Sequence, residues 1–300
     1  MSADMTSIRA DLVETVLAGG ELAAADVTTL AAATDILSLG ALADDVRRRR
    51  HGATTTFVRV HVLEASAPET WTPPPAEARE VRLEGPLPLV AGERDGTGRV
   101  VELVRRAWAL AGALPLRGFV LAELIALGGT VLLAALREAG LEGVALVEPG
   151  DDAAGAVTAA RAAGLTVQVV GTVLAPHDRA VWLLDVRALQ LAVGGLTAVA
   201  PLARVGDATT PTTGFDDVRH VALTRLALET IPHVQVDWRW HGPKLAQVAL
   251  TVGADDIDGV AAADDVSRGP RRAPLEEIRR NITAAGQTPV ERDARFASLT

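Results

Sequence analysis

Three carboxylates crowd into four positions at Asp255, Asp256 and Asp258, inside the segment Gly253-Ala254-Asp255-Asp256-Ile257-Asp258-Gly259. Like charges this close repel, so they need donors, a cation or water beside them. Composition reads the segment as a solvated loop. An extended backbone would instead put Asp256 and Asp258 on one side, where they could grip ligand hydroxyls, amines or a hard metal. Two stretches with period-two alternation supply more polar groups. Val58, Val60 and Val62 oppose Phe57, Arg59 and His61, and Val234, Val236 and Trp238 oppose His233, Gln235 and Asp237. Thr166 and Gln168 alternate with Val167 and Val169, while Glu123 and Glu148 each end a strand-like run. His61, Glu148 and Asp237 are the catalytic candidates, as residue types that burial can tune into acids or bases. Arg59, Gln168, His233, Asp237, Asp255, Asp256 and Asp258 form the candidate ligand-facing set. Capping of helices, an ion pair between Asp237 and Arg59 or His61, and strands with one solvated face are the structural alternatives for the same residues.

Other chemistry is excluded by what the sequence lacks. There is no cysteine among the 300 residues, so disulfides, thiolate nucleophiles, Cys-ligated zinc and conventional iron–sulfur clusters are out of reach. There is no tyrosine to serve as a phenolic acid or base. The histidines at 51, 61, 177, 220, 233 and 241 make no His-x-x-x-His or His-Glu-x-x-His pair, so no metal ligand set is expected. Gly-x-Ser-x-Gly, the phosphate-loop pattern and a Gly-x-Gly-x-x-Gly turn after the first strand are all missing. A net charge of −9, from 38 acidic and 29 basic residues, argues against nucleic acid as a partner. No apolar run is long enough to span a bilayer, and the first residues lack the features of a secretion signal, so a cytoplasmic location is expected.

The elements that must position these residues alternate. Helices fill the first fifty residues: Ile8 to Leu17, a second from a cap at Asp26 to Leu37, and a third from Leu39 to Arg50, whose basic run Arg47 to Arg50 suits a solvated last turn. Strand-like and helical segments then take turns from Thr54 to Val252, interrupted by a proline-rich stretch between Ala65 and Ala78, and a last helix runs from Pro274 to Ala285. Repeated strand–helix units predict an α/β fold, a partial or full (βα) TIM-like barrel with a doubly wound sheet as the alternative. The expected organisation is an N-terminal helical segment over 1–52, the barrel over 53–260 and a C-terminal extension packed on it over 261–300. In such a barrel the apolar strand faces should meet the helices and the polar faces should line the interior. Buried polar groups cost roughly 1–3 kcal/mol each when unpaired, so that interior must hold water, a ligand or a paired network. The polar stripe suggests a wide barrel with a cavity.

The C-terminal third is recognisable. Leu226 to Val234, Trp238, Gly242 to Leu250 and Gly253 to Gly259 resemble the aminofutalosine synthase family of radical S-adenosylmethionine enzymes, and Pro289 to Asp293 resembles its closing motif. Leu42 to Arg49, Leu136 to Leu141 and Gly194 to Leu202 fit as well, so the resemblance spans most of residues 36–300. It is weak between 64 and 115. It implies a (βα) barrel, and a four-iron cluster held by Cys-x-x-x-Cys-x-x-Cys after the first strand with S-adenosylmethionine on its free iron. The matching stretch here, Glu64 to Ala76, offers no thiol and four prolines. Glu123 matches a family acidic residue near that cofactor; the glycines before Pro149-Gly150 differ from the family's. The resemblance without the cysteines therefore implies no cluster and no other cofactor, with S-adenosylmethionine binding left open. The expected function is a non-radical pseudoenzyme tied to futalosine-route menaquinone synthesis. Its partners would be a nucleoside-like or chorismate-derived small molecule, a cysteine-bearing homologue or another protein of that pathway. The alternative is a non-radical lyase or hydrolase acting on such a small molecule.

Overall fold

The computed structural model describes residues 8–87, 96–204, 212–264 and 274–299. Three helices come first: α1 (Ala10–Leu17), α2 (Ala24–Ala32) and α3 (Ile36–His51). Asp26 does not cap α2. That helix starts two residues earlier, after Ala23, and the cap falls instead on Asp35, whose carboxylate accepts the Leu37 and Ser38 amides to start α3. Such a cap satisfies amides that have no partner inside the helix.

Eight parallel strands follow: β1 (Thr54–Glu64), β2 (Glu80–Glu84), β3 (Leu116–Val120), β4 (Gly143–Leu146), β5 (Val169–Gly171), β6 (Ala198–Ala200), β7 (His233–Asp237) and β8 (Asp256–Ala261). Their order is β4-β3-β2-β1-β8-β7-β6-β5, and parallel bridges Gly143–Thr166 and Val147–Val170 bring β4 to β5. The sheet is therefore a nearly closed parallel barrel, the TIM-like α/β fold that the alternating segments predict. Outside lie α4 (Gly96–Ala111), α5 (Leu121–Glu138), α6 (Ala153–Ala162), α7 (Arg179–Val193), α8 (Gly214–Ala227), α9 (Trp238–Leu250) and α10 (Pro274–Ala284). Pro243 lies just after a kink in α9, where Gly242 takes φ +73°. A ninth strand, β9 (Thr288–Glu291), pairs with the first half of β1, so the chain's last segment joins the sheet.

Three differences from the sequence reading matter for the site. The Asp255–Gly259 segment is not a solvated loop; it is the start of β8 with the residue before it, in the middle of the strand order and buried. The basic run of α3 is not uniformly solvated either. Arg47 is buried against Asp44 and the Gly52 carbonyl, and Arg50 donates to the Ile231 and Glu229 carbonyls. Third, the two faces of β1 are the reverse of those expected. His61 and Leu63 pair in register with Val81 and Leu83, which pack towards the helices, whereas Val60 and Val62 pair with Glu80 and Arg82. Register neighbours in a parallel sheet point to the same side. The valines of β1 thus face the lumen, and Arg59 and His61 face away from it.

Candidate functional site

The polar lumen is built by period-two alternation in four strands. In β2, Val81 and Leu83 join the helix-facing core and turn Glu80 and Arg82 inward; in β7 and β8, Val234, Val236 and Ile257 do the same for Gln235, Asp237, Asp256 and Asp258. Arg117 enters from β3. The C-terminal segment delivers Arg292, directly after β9.

These groups satisfy one another. Arg82 donates through Nη1 and Nη2 to Asp258 at 2.7 and 2.8 Å, and through Nε to Glu80 at 2.6 Å. Arg292 grips Asp256 through Nε and Nη2 at 2.6 and 2.8 Å. Asp256 also accepts from Thr56 Oγ1 at 2.5 Å and Gln235 Nε2 at 2.7 Å. Arg117 donates to Gln168 and, at 3.3 Å, to Thr166. Glu80, Asp256 and Asp258 thereby balance Arg82, Arg117 and Arg292 in charge. Burial alone would raise the Asp258 carboxyl, but the Arg82 charge and its hydrogen bonds hold it well below the usual carboxylate range. Bidentate pairing of this kind is the geometry in which a buried charge is tolerable.

The other half of the lumen is apolar. Leu146, Val169, Ala198 and Ala200 cluster there, with Phe296 packed against them. Phe296 takes φ +65° and lays its ring 3.9 Å from the Arg292 guanidinium. The space left between Glu80, Arg82, Arg117, Asp258 and Arg292 is about 10 Å³. That admits no more than one water molecule. Among the described residues this part of the interior holds no wide cavity; it holds the paired network that was one of the three ways to satisfy it.

Open space occurs at the C-terminal mouth. A cavity of about 380 Å³ is lined by His61, Val62, Trp238, Arg239, Gly259 and Glu277. At its edge Asp237 caps α9: Oδ1 accepts the Arg239 amide at 2.8 Å and the Trp240 amide at 3.1 Å, while Oδ2 is buried with no hydrogen-bond partner among the described residues. Gly259, at φ +69°, must be glycine, since a Cβ there would lie 2.6 Å from Asp237 Oδ1. Arg239 pairs with Glu64 at 2.6 Å and with Glu84. A second hollow of about 900 Å³ is a surface groove between α9 and α10, lined by side chains such as Gln247, Glu276 and Arg280.

The remaining candidates divide between the two ends of the barrel. His61 Nε2 lies 2.9 Å from the Thr72 carbonyl, outside the lumen, and Arg59 pairs with Glu291 of β9 at 2.8 Å, so neither meets Asp237. Glu148 accepts the Val173 amide at 2.9 Å. Glu123 lies in the first turn of α5; burial pushes its carboxyl up, and the nearby Glu148 charge adds to that. At the opposite, N-terminal face, Asp255 accepts from Arg225 and the Val234 amide on Oδ1 and from His233 Nδ1 on Oδ2. Burial opposes ionisation there, but the Arg225 charge and the His233 hydrogen bond outweigh it and hold Asp255 at about 2. The arginines that satisfy the acids went unnoticed in the sequence. The alternation Glu80-Val81-Arg82-Leu83-Glu84 would have shown one of them.

The segment after β1 that would carry a cluster holds a short 3-10 turn at Pro68–Thr70. Neither it nor any other part of the chain supplies a thiolate, so the residues present do not fit a four-iron cluster.

Comparison with known proteins agrees with this geometry. Residues 197–299 match the family described as the CofH/MqnC C-terminal region. The aminodeoxyfutalosine synthase of Thermus thermophilus is 35% identical over 127 residues, covering 38% of this chain and 34% of that protein. The synthase of Streptomyces coelicolor is 32% identical over 151 residues, 43% of this chain and 39% of that protein. A Methanosarcina barkeri 5-amino-6-(D-ribitylamino)uracil--L-tyrosine 4-hydroxyphenyl transferase is 32% identical over 165 residues, 48% of this chain and 43% of that protein. These matches span well under half the length of each relative. Among solved structures, methylornithine synthase (PylB) superposes with a TM-score of 0.64 at 16% identity, covering 93% of this chain and 97% of that one. The hydrogenase maturase HydG gives 0.64 at 13% identity, over 95% of this chain and 76% of that one. Strand order and superposition together define a TIM-like α/β barrel. Over the matched stretches the chain is similar to the CofH/MqnC C-terminal region and to aminodeoxyfutalosine synthases, and it contains no cysteine.

Proposed function

We propose that this protein is a non-radical pseudoenzyme of the aminofutalosine synthase group that binds a nucleoside-like or chorismate-derived small molecule at the mouth of its barrel, in association with menaquinone synthesis. The observation that carries this reading is the state of the interior. The lumen is filled by charge-balanced side-chain pairs with about 10 Å³ to spare, while about 380 Å³ stays open at the rim. Barrel ligands bind at the C-terminal face. Trp238 offers a flat apolar surface there, and Arg239, Glu277 and His61 offer polar edges. The names of the relatives supply the ligand class: two are aminodeoxyfutalosine synthases. Isothermal titration with aminodeoxyfutalosine, S-adenosylmethionine and the enolpyruvyl-benzoate compound of the same route tests it. One saturable isotherm, lost in Trp238→Ala, is the expected result; flat titrations for all three would remove the ligand.

A second reading rests on Asp237. Its Oδ2 is buried beside the mouth without a partner among the described residues, as an acid or base awaiting a substrate would be. If the protein is a lyase or hydrolase of the same small molecules, Asp237→Asn abolishes turnover while the α9 cap survives. If it only binds, the two proteins behave alike.

A further inference from the structure

The N-terminal face of the barrel gathers two imidazoles and a carboxylate from three separate elements. His51 is the last residue of α3, His233 the first of β7, and Asp255 immediately precedes β8. We propose that His51, His233 and Asp255 bind one divalent transition-metal ion, zinc in the first place, as a structural clasp that ties the end of α3 to the starts of β7 and β8.

The donor atoms converge. Asp255 Oδ2 lies 2.6 Å from His233 Nδ1 and 3.3 Å from His51 Nε2, and one ligand atom from each residue falls within 4.8 Å of the others. Around a tetrahedral zinc with bonds of about 2.0–2.2 Å, donor atoms stand about 3.4 Å apart. The His51–Asp255 distance already has that value; metal binding moves His233 back by less than about 1 Å, shifts its proton from Nδ1 to Nε2, and frees His51 Nε2 from the Pro232 carbonyl 2.9 Å away by moving that ring's proton to Nδ1. Imidazole and carboxylate are the ligand types that borderline dications select.

The surroundings are those of a ligand set held in place. Asp255 presents Oδ2 to the imidazoles because its Oδ1 is occupied by the Val234 amide at 2.9 Å and by Arg225. The Arg225 charge is itself spread over the Gly253 and Pro232 carbonyls, at 2.8 and 2.9 Å. His51 and His233 stack with ring centroids 5.0 Å apart, and Phe296 stacks on His233 at 5.5 Å. Partners of this sort fix ligand orientation. Asp255 is almost fully buried, but the two imidazoles are 14% and 18% exposed, which leaves an entry path and a fourth coordination position facing water. A barrel's N-terminal face is where stability rather than catalysis resides, so the ion's role is structural. Because the ligands are separated by 182 and 22 residues in sequence, no local metal motif marks them.

The test uses the tag-free, full-length chain. Zinc chloride titrated by calorimetry should bind at one ion per chain and raise the unfolding midpoint, and cobalt(II) should develop visible d–d bands that zinc abolishes. H51Q and H233Q, with folding verified by circular dichroism, should each weaken zinc binding at least tenfold, whereas H177Q, at an exposed histidine remote from the cluster, should not. Absence of stoichiometric uptake, or equal affinity in H51Q, H233Q and the parent chain, would overturn the proposal and leave the three residues as a hydrogen-bonded cluster. If a histidine variant does not fold, the parent chain's cobalt spectrum and stoichiometry decide.

Discussion

Replacing Arg292 by methionine removes the guanidinium and keeps much of the side chain's volume. The parent arginine makes two charge-assisted hydrogen bonds to Asp256, at 2.6 and 2.8 Å, with both side chains buried. After the change Asp256 retains Thr56 and Gln235 as donors, but the network is left with an uncompensated carboxylate. Breaking one partner of a buried pair costs about 3–5 kcal/mol. The ring of Phe296 also loses the cation beneath it, worth about 0.5–2 kcal/mol, so the loss should sit towards the upper part of that range. Urea unfolding monitored by circular dichroism reads it as a lower midpoint at unchanged slope. The double variant Arg292→Met, Asp256→Asn removes the stranded charge; the Asn oxygen still accepts from Gln235, and its NH2 group donates to the Thr56 hydroxyl. It should recover at least about 2 kcal/mol of the single variant's loss, the size of a buried charge's penalty. If Arg292→Met is destabilised by less than about 1 kcal/mol, or the double variant is no better than the single, the network is not what holds the interior together.

Other consequences follow from single positions. His220 is buried in α8 with neither ring nitrogen partnered among the described residues; burial, with the Arg179 and Arg219 charges adding, pushes its pKa down to about 3. The unfolded chain takes up that proton from about pH 6.5 and the folded chain does not, so stability falls as pH drops from about 6.5 towards 3, by up to about 1.4 kcal/mol per unit. His220→Phe, beside Trp182, should flatten urea midpoints across that window; an unchanged acid slope would contradict the assignment. Gly259→Ala should lose about 1–3 kcal/mol, from the positive φ and the clash with Asp237, and calorimetric melting would show it. Asp35→Ala removes the cap of α3 and should cost about 0.5–2 kcal/mol in the same assay, with a null result arguing against the capping geometry.

The barrel was legible because its evidence is local. A period-two run marks β7, short apolar runs mark β3 and β4, and Asp178 caps α7. The failures share a cause. The start of β8 reads as a loop because three acids in four residues lack any local compensation, and their partners Arg82, Arg225 and Arg292 arrive from 30 or more residues away. β1 reads inside out because its polar face is satisfied from outside the ring, by Glu291 of β9 and the Thr72 carbonyl, a neighbour set that periodicity cannot supply. For the same reason the candidate acids were found in the sequence while the arginines neutralising them were not. The resemblance points to a cofactor chamber. Among the described residues the structure instead shows charge-paired side chains in the lumen and a cavity at the rim.

Anaerobic reconstitution of the purified protein with iron and sulfide, read by visible absorption, iron content and S-adenosylmethionine cleavage, tests the central claim most directly. A chain with no thiolate and no lumen space should stay colourless, retain no stoichiometric iron–sulfur cluster and release no 5′-deoxyadenosine on reduction. A brown protein holding four irons per chain and cleaving S-adenosylmethionine reductively would contradict it.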